Sequence, residues 1–174
     1  MAHSTTHSLL ARLLAIAVVL LLGVALAVIT ATLPELPPVV ATHFGLDGHA
    51  NGWMTSRRYA LVIVAFTVGF PFVLWALVAL VPRRFPRLAK IPDRDRWFAP
   101  AERERTLDRL DTFGRIHALG AVLLALGLHV LVIAKNVPAS GTAELGAAVM
   151  LLVLAVLVLL ATAIATKRAF WRTA

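Results

Sequence analysis

LGAAVMLLVLAVLVLLATAIAT, running from Leu145 to Thr166, decides the fold: it carries no charged side chain and no proline. A bilayer core is roughly 30 Å thick and takes about 20 apolar residues in helical form to cross. Three further stretches read the same way, from Leu9 to Thr30, from Tyr59 to Val81 and from Ile116 to Ala134. The composition agrees. Of 174 residues 60% are hydrophobic, the mean hydropathy is +0.85, and only 15% are charged. A small globule has too little interior to hide that excess. The chain is therefore expected to be an all-α integral membrane protein, a four-transmembrane-helix bundle with an outer turn-rich loop and a basic inner loop. The first apolar run is longer than the core of a typical cleaved signal, so it is expected to stay as a span.

The net charge of +8 is unevenly placed. Fourteen of the 17 Lys and Arg lie on one side of the expected membrane: Arg12, a cluster from Arg83 to Arg115, and Lys167, Arg168 and Arg172. Only Arg57, Arg58 and Lys135 lie on the other. The positive-inside rule then puts both termini and the 82–114 segment in the cytoplasm of a cell inner (plasma) membrane, with loops 31–58 and 135–144 outside. Trp53 and Tyr59 are expected as aromatic anchors at the outer interface, and Trp97, Phe98, Phe170 and Trp171 at the inner one.

Local signals subdivide the chain into residues 1–81 (two spans and the 31–58 loop), 82–114 (basic loop and helix start) and 115–174 (second span pair and tail). Pro34, Pro37 and Pro38 end the first helix and predict extended chain. Gly45, Asp47-Gly48 and Asn51-Gly52 are turn signals, consistent with a short hairpin. Pro71 predicts a kink in the second span. Pro82, Pro86 and Pro92 predict an extended 82–92 segment. Pro100, followed by Glu102 and Glu104, marks the start of one long helix from about Ala101 to Asn136, about 50 Å long at 1.5 Å per residue. Gly120 and Gly127 allow close helix contact, without making a GxxxG motif.

Candidate chemistry is sparse. The chain has no cysteine, and no GxSxG, HExxH or Walker sequence. The ionisable side chains placed well inside the spans are His117 and His129, and such residues are functional candidates. They are too far apart along one helix to share a ligand. His129 points the way to a metal site with His43 and His49, but His-x5-His is not a recognised zinc spacing, and hydrogen bonding of His129 to a neighbouring group is the plainer expectation. No cofactor is expected. The basic loop suits anionic lipids, each basic residue near such a leaflet gaining about 1 kcal/mol. Its acidic residues, Asp93, Asp95, Glu102, Glu104 and Asp108, argue against direct nucleic-acid binding.

Two stretches carry a family resemblance. Leu36-Pro37-Pro38-Val39-Val40-Ala41-Thr42-His43-Phe44, followed by Gly48, Asn51 and Trp53, resembles the signature of the domain of unknown function 1648 family. The run from Ile91 to Thr106 resembles the inner loop of short members. The chain departs from the pattern at Ala41, Gly45 and Asn51, where the family usually has Pro, Asn and Asp. The resemblance extends to the SdpI-like immunity proteins, which protect the membrane from a secreted peptide toxin and hold a transcriptional repressor at the membrane.

It implies a non-enzymatic protein of immunity or sensor type. His43, Phe44, Gly48, Asn51 and Trp53 would meet a peptide toxin or ligand outside. Asp95, Trp97, Pro100 and Glu102 would dock a cytoplasmic regulator inside. The alternatives are an accessory subunit of a larger membrane complex, which needs only packing faces, and a membrane enzyme with a histidine metal site. Self-association into a homo-oligomer is open.

Overall fold

The computed structural model describes residues 2–45, 47–137 and 142–171. Arg172 and residues 138–141 of the 135–144 loop lie outside the described residues. Among the described residues four helices are long and apolar enough to cross a membrane, and the chain is a multi-pass membrane protein. They are α1 (Ala2–Thr32), α2 (Ser56–Trp75), α3 (Arg103–Asn136) and α4 (Thr142–Trp171). Between α1 and α2 lies a two-stranded antiparallel hairpin, β1 (Val39–Phe44) and β2 (Ala50–Thr55). The end of the bundle that carries it is called the hairpin end, and the opposite one the basic end.

α3 is the helix on which the other three pack. In its apolar window 56% of the residues are buried, against 11–17% in α1, α2 and α4. The reason lies in its small residues. A Cβ on Gly120 would meet Leu159 at 3.0 Å, one on Gly127 would meet Leu152 at 3.0 Å, and one on Gly114 would meet Trp75 Cδ1 at 3.1 Å. Bare backbone at these positions lets α4 and α2 approach closely, which is how helices associate where lipid removes the hydrophobic drive. On α4 the matching stripe is Ala148, Ala155 and Thr162, all buried at heptad spacing. The outward faces of α1, α2 and α4 carry exposed Leu, Val and Ile, as a lipid-facing surface does. The first two helices meet each other less than either meets α3, so residues 1–81 are joined mainly through α3.

Several local expectations are corrected. The chain after α1 is not simply extended: Leu33–Glu35 makes a 3-10 turn before Leu36 turns extended. Pro34 sits in its first turn, where a missing N–H costs nothing. Likewise 82–92 is not an extended strap. The second span continues past α2 through a π-helical segment, Ala76–Leu80, and a last helical turn, Val81–Arg84, before a 3-10 turn at Pro86–Leu88. Pro82 and Pro86 each fall at the opening of a short helical turn, which their fixed φ suits. α2 is helical through Pro71, with Thr67 Oγ1 donating to the Ile63 carbonyl at 2.7 Å, and the π segment follows it. The long third helix is as expected, starting at Arg103 with Glu104 in its first turn.

The aromatic anchors divide. Trp53 and Trp171 are exposed, but Tyr59, Trp97 and Phe170 are buried. Trp97 meets Phe170 edge to face, with ring centroids 5.2 Å apart, and both pack on Leu110. This cluster ties the short helix Arg94–Trp97 and the end of α4 to the start of α3. Thr106 Oγ1 reinforces it by donating to the Trp97 carbonyl at 2.9 Å.

Candidate functional site at the hairpin end

The hairpin is built by its turn residues. Gly48 has φ +78, the left-handed region that glycine enters without strain. The Gly45 amide donates to the His49 carbonyl at 2.8 Å, and Asp47 Oδ1 accepts from the His49 amide at 3.0 Å. Pairing runs Val39↔Thr55, Val40↔Met54, Ala41↔Trp53, His43↔Gly52 and Phe44↔Ala50. Each strand therefore holds one unpaired extra residue, Thr42 on β1 and Asn51 on β2. Such bulges twist a hairpin and re-aim its side chains. Gly52 is required there: a Cβ would sit 2.9 Å from His43 Nδ1.

One face of this hairpin is anchored. Val40 is fully buried in a cluster with Ile29, Leu36, Tyr59, Ile63, Val132 and Ile133, which unites α1, α2 and α3. Asn136, the last residue of α3, uses both ends of its carboxamide on β1. Its Oδ1 accepts from the Ala41 amide at 2.8 Å and its Nδ2 donates to the Ala41 carbonyl at 2.9 Å. A side chain thus supplies the two bonds that a neighbouring strand would make. Asn136→Ala is expected to cost about 1–2 kcal/mol, since it strands two backbone groups. The measurement is amide hydrogen exchange at Ala41, which should quicken by about tenfold while α3 stays protected.

About two turns deeper along α3, fully buried His129 joins three helices. Tyr59 Oη lies 2.9 Å from its Nδ1 and Thr32 Oγ1 lies 2.7 Å from its Nε2. Thr32 Oγ1 is also 2.8 Å from the Val28 carbonyl. One proton arrangement satisfies every group: Tyr59 donates to Nδ1, Nε2–H donates to Thr32, and Thr32 donates to Val28. The Tyr59 and His129 rings lie nearly parallel, 13° apart in plane. His129 thus hydrogen-bonds neighbouring side chains, as the plainer reading of the sequence expected.

The candidate ligand residues occupy the free surface. His43, Gly48, Asn51 and Trp53 are exposed and Phe44 is half-buried. His49 is exposed as well. The structure does not bring His43, His49 and His129 together: among the described residues no group of three or more His, Asp or Glu is placed to hold a metal.

At the basic end the proposed docking residues also divide. Asp95 and Pro100 are exposed and Glu102 is partly so. Asp95 pairs with Arg94 at 3.1 Å, and Glu102 with Arg105 at 3.6 Å. Trp97 is buried, 7% exposed, so its side chain is a packing residue rather than a presented one. Arg96 and Arg109 lie over its ring at 5.5 and 5.9 Å. His117 Nδ1 lies 2.8 Å from the Phe113 carbonyl, back along its own helix.

Sequence reasoning missed Asn136, Thr32 and the bonding role of Tyr59. It also missed a polar cluster in the half of the bundle nearer the basic end. Asp111, only 9% exposed, accepts from Trp75 Nε1 at 3.0 Å and from Arg115 Nε at 2.7 Å. The i,i+4 spacing of Asp111 and Arg115 was a usable signal for that pair; nothing local predicted the indole.

These features define a class: a four-span membrane protein whose first two spans are joined by a short hairpin locked to the third. Residues 19–68, covering the C-terminal part of α1, the hairpin and the greater part of α2, match the family model described as domain of unknown function, DUF1648. The chain carries that domain over those residues. No curated protein and no solved structure matches the chain.

Proposed function

We propose that this is a non-enzymatic membrane protein of immunity or sensor type, whose hairpin meets a peptide toxin or ligand outside the cell. The observation that carries the reading is the division of the hairpin into two faces. One is buried through Val40, with Asn136 of α3 holding the β1 edge at Ala41, and the free surface presents His43, Asn51 and Trp53 to the exterior. A rigid mount with a free aromatic and polar face is a binding arrangement. The excess of Lys and Arg at the other end supports both termini in the cytoplasm of the plasma membrane, with anionic lipids around Arg83, Arg84 and Arg87.

α3 runs unbroken from the Asn136 bonds to the Trp97–Phe170 cluster, so a ligand that tilts it would alter the surface around Asp95, Pro100 and Glu102. A cytoplasmic regulator docked there would read the change.

The test is protection of cells against a secreted peptide toxin. Trp53→Ser changes a side chain that is 59% exposed, so the bundle should persist. Protection is expected to fall by at least about tenfold, a loss on the scale of one aromatic hot spot. Full protection by Trp53→Ser together with Asn51→Ala and His43→Ala, at equal membrane abundance, would refute the reading. The second reading, an accessory subunit of a larger complex, is favoured by the wide apolar faces of α1, α2 and α4, and stable co-purification with large membrane subunits would establish it.

A further inference from the structure

The two edges of the hairpin are not alike. In an antiparallel ladder, residues facing each other in a non-hydrogen-bonded pair turn their N–H and C=O outward, away from the partner strand. Ala41 is such a residue, because both its backbone groups go to Asn136 on the outer edge of β1. Its partner in the register is Trp53. The Trp53 N–H and C=O therefore point out from the free edge of β2. Two residues on, the Thr55 N–H points the same way, consistent with the Ser56 amide closing the ladder on the Pro38 carbonyl at 3.0 Å. Asn136 caps one edge and, among the described residues, nothing caps the other. An open strand edge is a template for another strand.

The surroundings of that edge state what fits. The Trp53 side chain is exposed beside it. Arg57 and Arg58, exposed on the first turn of α2, follow directly from β2, and no ion pair is formed by either among the described residues. A second copy would bring the same cations, and its hairpin carboxylate, Asp47, is committed to the His49 amide. An acidic extended peptide fits better.

We propose that the free edge of β2 binds an extended peptide by strand addition, its backbone pairing with Trp53 and Thr55 and an acidic residue facing Arg57 and Arg58. This rests on the ligand-binding reading of the hairpin and names the form of the ligand: recognition through main-chain bonds, with side-chain selectivity only at Trp53 and the two arginines.

The experiment is residue-resolved amide hydrogen exchange on the full chain in detergent micelles. The probe is an acetylated hexapeptide of alternating valine and threonine ending in glutamate. Without peptide the Trp53 and Thr55 amides should exchange freely while Met54 is protected. With peptide those two amides should slow by about tenfold or more. The same peptide N-methylated on alternate amides of its pairing edge should give no protection, and Arg57→Gln with Arg58→Gln should weaken binding.

No slowing at Trp53 and Thr55 up to the peptide's solubility limit overturns the inference, as does equal protection by the N-methylated peptide. Protection that appears without peptide and grows with protein concentration also overturns it, and assigns the edge to a second copy. The two readings fail separately. Toxin protection that depends on Trp53, with no protected amide on the β2 edge, removes strand addition and leaves ligand binding. Edge protection with full resistance in the Trp53, Asn51 and His43 variants does the reverse.

Discussion

His129→Ala should be the most damaging single substitution at the hairpin end. The side chain is fully buried and joins α1, α2 and α3. Its loss removes two hydrogen bonds and leaves a cavity beside Tyr59 and Thr32. Core truncations of this size cost about 2–5 kcal/mol, and interhelical hydrogen bonds in membranes add about 1 kcal/mol each at most of the sites where they have been measured. A destabilisation of about 3 kcal/mol is expected, read as a lowered thermal midpoint in detergent or as a shifted denaturant titration.

A cycle separates the two causes. Tyr59→Phe alone should cost about 1 kcal/mol. Placed on His129→Leu, which fills much of the space, Tyr59→Phe should cost nothing or help, because the hydroxyl no longer has its acceptor. Additive losses would show that the Tyr59–His129 bond contributes nothing to the bundle.

Asp111→Ala is expected to be the comparable lesion at the other end. Asp111 accepts from both the Trp75 indole and Arg115, whose side chain is only 25% exposed. Removing one partner of a buried pair leaves an uncompensated charge and costs about 3–5 kcal/mol where no water reaches it. The partial exposure of Arg115 lets the guanidinium swing toward solvent, so about 2 kcal/mol is the expected loss here. Asp111→Asn should cost less, because an amide oxygen still accepts from Trp75. Trp75 precedes the π-helical segment Ala76–Leu80, so its emission spectrum is the local reporter: it should shift in Asp111→Ala and stay nearly unchanged in Asp111→Asn.

Much of this architecture was legible in the chain. Lipid makes span detection nearly a matter of length and charge, which is why the four helices and the long α3 were readable. Gly45, Gly48 and Gly52 marked the hairpin because particular turns and close approaches need them. What escaped were contacts between distant residues. Nothing near Asn136 says that its carboxamide will meet Ala41, and nothing near Tyr59 distinguishes an interface anchor from the partner of a buried histidine.

Trp97 and Phe170 were misread for the same reason. An aromatic at a membrane boundary can face lipid headgroups or another helix, and only the packing decides. The π segment was missed because Pro71, the visible breaker, lies one turn earlier than the irregularity.

The central place of α3 has a consequence for how the protein is made. Chains are synthesised from the N-terminus, so α1, the hairpin and α2 exist before the helix that joins them. In that interval the Tyr59 and Thr32 hydroxyls lack the imidazole between them, and the outer edge of β1 is uncapped. The first two spans must wait side by side, weakly held, until α3 enters between them. Its arrival with Gly114, His129 and Asn136 in register is then the committing step of assembly, and α4 closes over the remaining glycine faces only after it.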